Sequence, residues 1–375
     1  MELAELVGLR PVPCAGVLLM VTQRCPLRCA HCSTSSTMAG AHTDGAALLR
    51  LVESFGPADR PELLMLTGGE PLLRPRLVTE LAEAARARGV RTALLSGMFF
   101  ARGGRLPASI RRAVHAVDHF SASIDREHER EVPRAEVLRV LAALLEDGTA
   151  VSLHVTGLGD DDPYLAEVTR EVRLAFGDQV PMLVNEVRAV GRAASWAGTP
   201  TAPSAAPPDT ARVLPCAMAA WPVVAPDGAV LACGNQDAVD LRPVPEHLLL
   251  GHIAQDDWPT LRRRALESPE LRLIRSLGPL HLRSRFGPGA SEAGASGAGA
   301  SGAGVCGADG YCATCVALPR DRALHEAVRG YGAGPAGELL DAYAARTQTR
   351  SGPVALVRRF GCARYAGLVS PGGSR

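Results

Sequence analysis

Three cysteines crowd one short stretch, Cys25-Pro26-Leu27-Arg28-Cys29-Ala30-His31-Cys32, spaced Cys-x3-Cys-x2-Cys. They follow the apolar run Val17-Leu18-Leu19-Met20-Val21, so a strand ends and a loop begins where the thiols collect. Three soft thiolates in one compact loop suit iron and sulfide better than a disulfide. A cluster of four irons on three cysteines leaves one iron without a protein ligand, and an open position is what separates a catalytic metal site from a closed structural one. For this stretch alone, a zinc loop with a distant fourth ligand is the alternative.

A second supply of thiols lies far downstream. Cys216 precedes the turn Ala225-Pro226-Asp227-Gly228, which joins two short β-like runs and leads to Cys233. Cys306-x5-Cys312-x2-Cys315 follows, and Cys362 stands in the tail. Cys14 is isolated and reads as a small buried apolar residue. The chain opens on Met1-Glu2-Leu3-Ala4-Glu5 and contains no apolar run of membrane-spanning length. A cytoplasmic location is expected, and clustered cysteines in a reducing compartment hold metal rather than pair. A net charge of +1 and 4% aromatic residues argue against nucleic-acid binding. With 375 residues, 47% of them hydrophobic, the chain can bury the core of one large domain and a smaller one.

The first cysteine loop must be positioned by an alternation of strands and helices. Strands are expected at 17–22, 62–67, 90–96, 117–123, 149–156 and 180–190. Helices are expected at 43–55 with Thr43 as cap, 76–88 closed by Gly89, 107–114, 134–146 and 163–176. Such alternation implies a parallel sheet with helices outside, and such folds carry their sites at C-terminal strand ends. Cys25, Gly68, Ser96 and Ser123 all fall at or beside those ends. Residues 196–210 read as a Pro-rich linker, and a second domain begins near 211. Residues 261–275 read as a basic helix whose arginines, with Arg283 and Arg285, form a solvated face or meet an acidic peptide. A Gly/Ala/Ser-rich stretch at 287–304 is expected to be a disordered loop, with helices near 320–329 and 336–346 after it.

The three cysteines after the first strand, His31 in a usually aromatic place before the last of them, and Thr67-Gly68-Gly69-Glu70-Pro71 after the next strand together resemble the signature of the radical S-adenosylmethionine (SAM) enzymes. The resemblance implies a partial (β/α)6 barrel over 14–195, behind a lead-in at 1–13. It implies a [4Fe-4S] cluster on Cys25, Cys29 and Cys32, with SAM chelated at the open iron. Reductive cleavage would then give a 5′-deoxyadenosyl radical that takes a substrate hydrogen. His31, Gly68, Gly69, Glu70, Pro71 and Ser123 are the implied cofactor-binding residues. The two glycines would admit backbone close to the cofactor, Glu70 would sit near the methionine ammonium, and Pro71 would stiffen the exit. Ser121-Ala122-Ser123-Ile124-Asp125 resembles the family's strand ending in Ser-x-Asp. Arg126 replaces the Gly that often follows, and an Arg for the SAM carboxylate is either Arg130 or Arg134. Residues 187–192 resemble the family's last strand end, near the adenine.

Cys216-x11-Gly228-x4-Cys233 resembles the opening of the SPASM domain and its shorter twitch relative, so 211–375 is expected to be a cysteine-rich auxiliary-cluster domain. Two departures stand out: Ala303 occupies the place of one cysteine, and the gap from Cys312 to Cys315 is one residue short. The implied ligand sets are Cys216, Cys233 and Cys315 for one cluster and Cys306, Cys312 and Cys362 for a second, with one or two clusters formed. By resemblance, the reaction is maturation of a ribosomally made peptide by cross-link, thioether or epimerisation. The alternatives are dehydrogenation or epimerisation of a sugar or aminocyclitol and, in another class, a non-catalytic zinc-stabilised binding protein. A flavodoxin or ferredoxin is the implied reductant. With 13 residues before the first domain, a separate leader-recognition protein is the expected partner for a peptide substrate.

Overall fold

A computed structural model describes residues 1–197, 213–287 and 310–370. Cys306, the bridge from 198 on, and the repeat stretch from 288 on lie outside the described residues.

The short helix α1 (Leu3–Leu9) opens the chain and buries Leu3, Leu6 and Val7. Six parallel strands follow: β1 (Gly16–Thr22), β2 (Leu63–Gly68), β3 (Arg91–Ser96), β4 (His119–Asp125), β5 (Val151–Gly157) and β6 (Met182–Glu186). Helices α2 (Gly45–Glu53), α3 (Pro75–Ala87), α4 (Ala108–Ala116), α5 (Arg126–Glu129), α6 (Arg134–Glu146) and α7 (Pro163–Phe176) lie between them. Their buried faces follow from sequence: Leu77, Val78, Leu81, Ala82 and Ala85 repeat at helical spacing on α3, while the charged residues of that helix face out. Strands covered on both faces read as near-continuous apolar runs, as β1 and β2 do.

The sheet does not end at β1. A hairpin of β7 (Val223–Val224) and β8 (Ala229–Leu231) adds to it, with β7 parallel to β1, and β9 (Leu249–His252) pairs antiparallel to β8. The order is β6-β5-β4-β3-β2-β1-β7-β8-β9, an open sheet and not a closed barrel. Gly228 makes the hairpin turn at φ +90°, and the Asp227 carboxylate accepts from Ala229 N–H. The remaining helices are α8 (Gln236–Val239), α9 (Trp258–Glu267), α10 (Pro269–Ser276), α11 (Pro279–Phe286), α12 (Tyr311–Ala317), α13 (Arg322–Gly332) and α14 (Gly334–Phe360). No helix among the described residues is long and apolar enough to cross a membrane.

Several local expectations are corrected. Asp44, not Thr43, caps α2, accepting from Ala46 and Ala47 N–H; the Thr43 hydroxyl instead donates to the Met20 carbonyl. The last parallel strand is five residues, shorter than 180–190, because the chain turns at Glu186 toward the cysteine loop. The basic stretch is two helices, since Ser268 caps a new one and Pro269 supplies its first residue. Arg275 does not line a solvated face: it is buried, with Nε 3.0 Å from Asp341 Oδ1 and Nη1 donating to the Ala265 carbonyl. One helix of 27 residues, bent at Gly352-Pro353, stands where a short one is expected at 336–346.

Candidate active site and a second cysteine centre

The first cysteine loop leaves β1 and is gripped from two directions. From the β2 end, Gly69 N–H donates to Thr22 O at 2.6 Å and Glu70 N–H to Arg24 O at 2.8 Å. A Cβ on Gly68 would stand 2.3 Å from Thr22 O, and one on Gly69 would stand 2.3 Å from Arg24 O. The Gly-Gly pair is thus what lets the second motif lie against the chain entering the loop. From the β6 end, Arg192 N–H donates to Cys32 O, and the Arg192 side chain donates to Cys29 O at 2.8 Å and Ser36 O at 2.7 Å. Trp196 Nε1–H reaches Ala30 O at 2.9 Å. Gly191, at φ +57°, passes so close that a Cβ would lie 2.2 Å from Ser33 O. The segment 187–192 therefore meets the cysteine loop itself.

The thiols sit at the C-terminal mouth of the sheet. Cys29 is buried, while Cys25 and Cys32 are partly exposed. Burial pushes the Cys25 thiol up to about 12, helped by the charges of Glu70, Cys29 and Cys32 and opposed by a hydrogen bond from the Leu27 N–H. A cation that binds thiolate reverses that balance. Glu70 is fully buried: Leu72 and Gly97 N–H donate at 3.0 and 2.8 Å, and the Ser96 hydroxyl donates to the same carboxylate. Burial still raises it to about 7, because those bonds and the His128 charge offset only part of the desolvation. Pro71 opens the short 3-10 turn Pro71–Leu73 that Glu70 caps.

Between the loop and β4 lies a network that joins His31 and Asp125, both named in the sequence motifs, through a link to His128 that sequence reasoning did not single out. Asp125 caps α5, accepting from Glu127 and His128 N–H at 2.8 and 2.9 Å. The same carboxylate takes the His128 ring and His31 Nε2, the latter at 3.2 Å. Burial would raise Asp125, but the charge and hydrogen bond of His128, with a further bond from His31, hold it well below the usual carboxylate range. His128 is in turn held well above the ordinary imidazole range, despite its burial, by Asp125 and by a hydrogen bond with Cys29. His31, the one ring of the signature, is thereby fixed by Asp125.

Ser123 pairs in register with His154, so both face the same side of the sheet. Burial lowers His154 to about 4, and its Nε2 lies 2.7 Å from Asn185 Nδ2. Ser123, His154 and Asn185 form a half-buried polar strip leading from the loop across β4 to β6. The two candidate arginines are both engaged. Arg134 pairs with Glu129, Glu167 and Glu171, each at 2.8 Å, and Arg130 pairs with Glu127 at 2.5 Å on the surface.

The second set gathers four thiols. Cys216 precedes the short 3-10 turn Ala217–Ala219, and Cys233 follows β8. Cys312 and Cys315 lie three residues apart on α12 and so share a face. Asn235 links the pieces: its N–H donates to Cys233 Sγ at 3.4 Å and its Nδ2 to Cys312 Sγ at 3.1 Å. Cys233 feels the charge of Cys216, and Cys315 feels both; burial pushes all three thiols up. His247 is buried with Nε2 3.9 Å from Cys315 Sγ and with Nδ1 unpartnered. Cys362 lies elsewhere. Its N–H donates to Val184 O on β6, at the opposite edge of the sheet, and its acidic neighbours are Asp160, Glu186 and Asp162. Cys312 thus stands with Cys216, Cys233 and Cys315 rather than with Cys362. Cys14 is buried, its N–H donating to Ala220 O.

Both thiol sets fit iron-sulfur clusters by donor chemistry. Among the described residues, the group of metal-capable side chains with all ligand atoms within 4.8 Å is His31, Asp125 and His128, and it contains no cysteine. A tetrahedral zinc with bonds near 2.3 Å would draw its sulfurs to about 3.8 Å apart. Among the described residues no three cysteine sulfurs lie within 4.8 Å of one another. The histidine–aspartate group is already closed on itself by hydrogen bonds and by the α5 cap.

An open, parallel-rich sheet with a three-thiol loop at its mouth defines the radical SAM fold. Residues 19–172 match the sequence model of the Radical SAM superfamily, so this chain carries a radical SAM domain, and that family implies SAM and a [4Fe-4S] cluster. No curated protein sequence matches the chain. Among solved structures it is similar to Streptococcus suis SuiB bound to SAM, at 10% identity and TM-score 0.46 over 66% of this chain and 65% of that one. SuiB bound to precursor peptide SuiA matches at 11% identity and TM-score 0.37, over 48% of this chain and 40% of that one. The chain spans less than two thirds of the length of either SuiB structure. Native anSMEcpe with bound AdoMet and the Kp18Cys peptide matches at 12% identity and TM-score 0.47, over 66% of this chain and 79% of that one.

Proposed function

We propose that this chain is a radical SAM enzyme that carries one auxiliary iron-sulfur cluster and modifies a ribosomally made peptide. The observation that carries the core reading is the loop of Cys25, Cys29 and Cys32, clamped at the sheet mouth beside buried Glu70. When bound, the cluster and SAM supply a carbon-centred radical that abstracts hydrogen from substrate. The chain's own residues hold and orient. Arg192, Trp196 and the Gly68-Gly69 pair fix the loop backbone, Asp125 fixes the His31 ring, and the Ser96–Glu70 pair presents a buried carboxylate at the mouth.

Cys216, Cys233, Cys312 and Cys315 would hold the auxiliary cluster, and four thiolates make a complete shell. Cys306 and Cys362 are then not needed for this cluster, and a second auxiliary cluster would rest on residues this set does not include. The domain division at 196–210 and the roles of His31, Ser123, Gly68, Gly69, Glu70 and Pro71 toward SAM are part of the same proposal. What supports a peptide over a sugar is the open sheet: the polar strip of Ser123, His154 and Asn185 runs across strands that never close into a ring. An extended chain can lie along such a strip, whereas a hydroxylated small molecule calls for an enclosed polar pocket.

The test is anaerobic turnover with SAM and dithionite, offering short peptides from neighbouring reading frames in one arm and aminocyclitols in the other. The proposal expects 5′-deoxyadenosine formation stimulated by a peptide, with loss of hydrogen mass or solvent-deuterium uptake in that peptide. Stimulation by the aminocyclitol alone would overturn the substrate reading and leave the radical reading intact.

A further inference from the structure

We propose that Arg10 is the fixed counter-charge of the Cys216, Cys233, Cys312 and Cys315 centre and makes that centre easier to reduce. This rests on the auxiliary-cluster reading above.

Arg10 ends α1, in a stretch with no motif of its own. Its guanidinium lies over the Trp221 ring, 4.8 Å from the centroid, and its Nη2 is 3.3 Å from Met218 Sδ. Both partners belong to the stretch between Cys216 and β7. The same Nη2 lies 3.5 Å from where a Cβ on Gly234 would stand, next to Cys233. Among the described residues Arg10 makes no ion pair with a carboxylate; its contacts are a thioether and an aromatic face. Met218 stands two residues after Cys216 and Gly234 follows Cys233, so these contacts flank both thiols. A guanidinium normally takes a carboxylate or phosphate in its fork. Here the anion that this position would face is the set of four thiolates with its cluster bound.

The neighbouring donors agree in sign. Asn235 offers two N–H groups to Cys233 and Cys312. Hydrogen bonds and positive charge beside cluster sulfurs stabilise the state with one more electron. At the first loop, by contrast, the charge beside Cys25 is that of Glu70.

The test uses the full chain with Cys25, Cys29 and Cys32 changed to Ser, so that only the second centre loads iron. Redox titration with dithionite, read by electron paramagnetic resonance, compares the parent with Arg10→Gln and Arg10→Lys. At a fixed potential, Arg10→Gln should lower the ratio of reduced to oxidised centre about tenfold, equal to about 59 mV for one electron. Arg10→Lys should stay near the parent. An Arg10→Gln centre that loads iron fully and titrates with the parent would overturn the proposal. Loss of iron in Arg10→Gln but not in Arg10→Lys would support a charge that holds the centre; loss in both would mean a packing role and overturn it. A parent that holds no iron in this background would remove the auxiliary-cluster reading itself, a result distinct from an unmoved potential.

Discussion

The two cysteine centres are built on opposite plans. The first is one irregular loop whose three thiols come from eight consecutive residues, and whose backbone is held by partners that follow β2 and β6. The second takes its thiols from three separate elements: a turn, a strand end and one face of α12. Their surroundings also differ. Glu70, Asp125 and two histidines crowd the first, while Arg10 and Asn235 face the second. Under the proposed function, three ligands leave an iron open to a cofactor, and four would close the shell of an electron-storing cluster. The difference teaches that, on that proposal, ligand count and local charge, not the mere presence of cysteine, would divide the labour between the centres.

The largest effect should come from Cys29→Ser. It should abolish 5′-deoxyadenosine formation and lower iron by about four per chain, while the second centre keeps its own iron. Loss of all iron would mean the centres are not independent. Cys312→Ser should leave SAM cleavage in place and remove about four irons, whereas Cys362→Ser should keep the full iron count. Equal loss in both would break the grouping of four. The third effect is on stability of the cluster-free protein. Glu70 is raised from 4.5 to about 7, so between those values the folded chain holds a proton that the unfolded chain has released. Its contribution is full below about pH 4.5 and lost as pH rises through about 7, on the order of 3 kcal/mol in all. Glu70→Gln should flatten that slope in denaturant titrations across the window; an unchanged slope would contradict the burial account. The smallest effect should be Gly191→Ala, which forces a Cβ toward Ser33 O at φ +57°. It should cost about 1–3 kcal/mol by thermal or chemical unfolding and loosen iron at the first loop only.

Much of this was legible in the chain, and what was not has physical causes. The bounds of α6 and α7 follow from helical periodicity, and the strand ends that carry Cys25, Gly68 and Ser123 follow from apolar runs that stop. Local rules missed the cap at Asp44 because Thr43 finds a better partner in the Met20 carbonyl, a contact 23 residues away. They also missed the link of Asp125 to His128 and His31, which depends on a loop almost a hundred residues earlier. The grouping of Cys312 with Cys233 was hidden for the same reason: Asn235 makes the link across 77 positions. Arg10 lay in a stretch that reads as lead-in, and only the packing of Trp221 beneath it shows where its charge goes. A Cys-x2-Cys pair on a helix is the one signal that could have marked α12 as a ligand face.

The most direct test is anaerobic reconstitution of the unaltered chain, with iron, sulfide and zinc counted per chain and SAM and dithionite then added. The account predicts about eight irons, negligible zinc, and 5′-deoxyadenosine that depends on Cys29. A colourless zinc protein, or cofactor cleavage that survives Cys29→Ser, would contradict it.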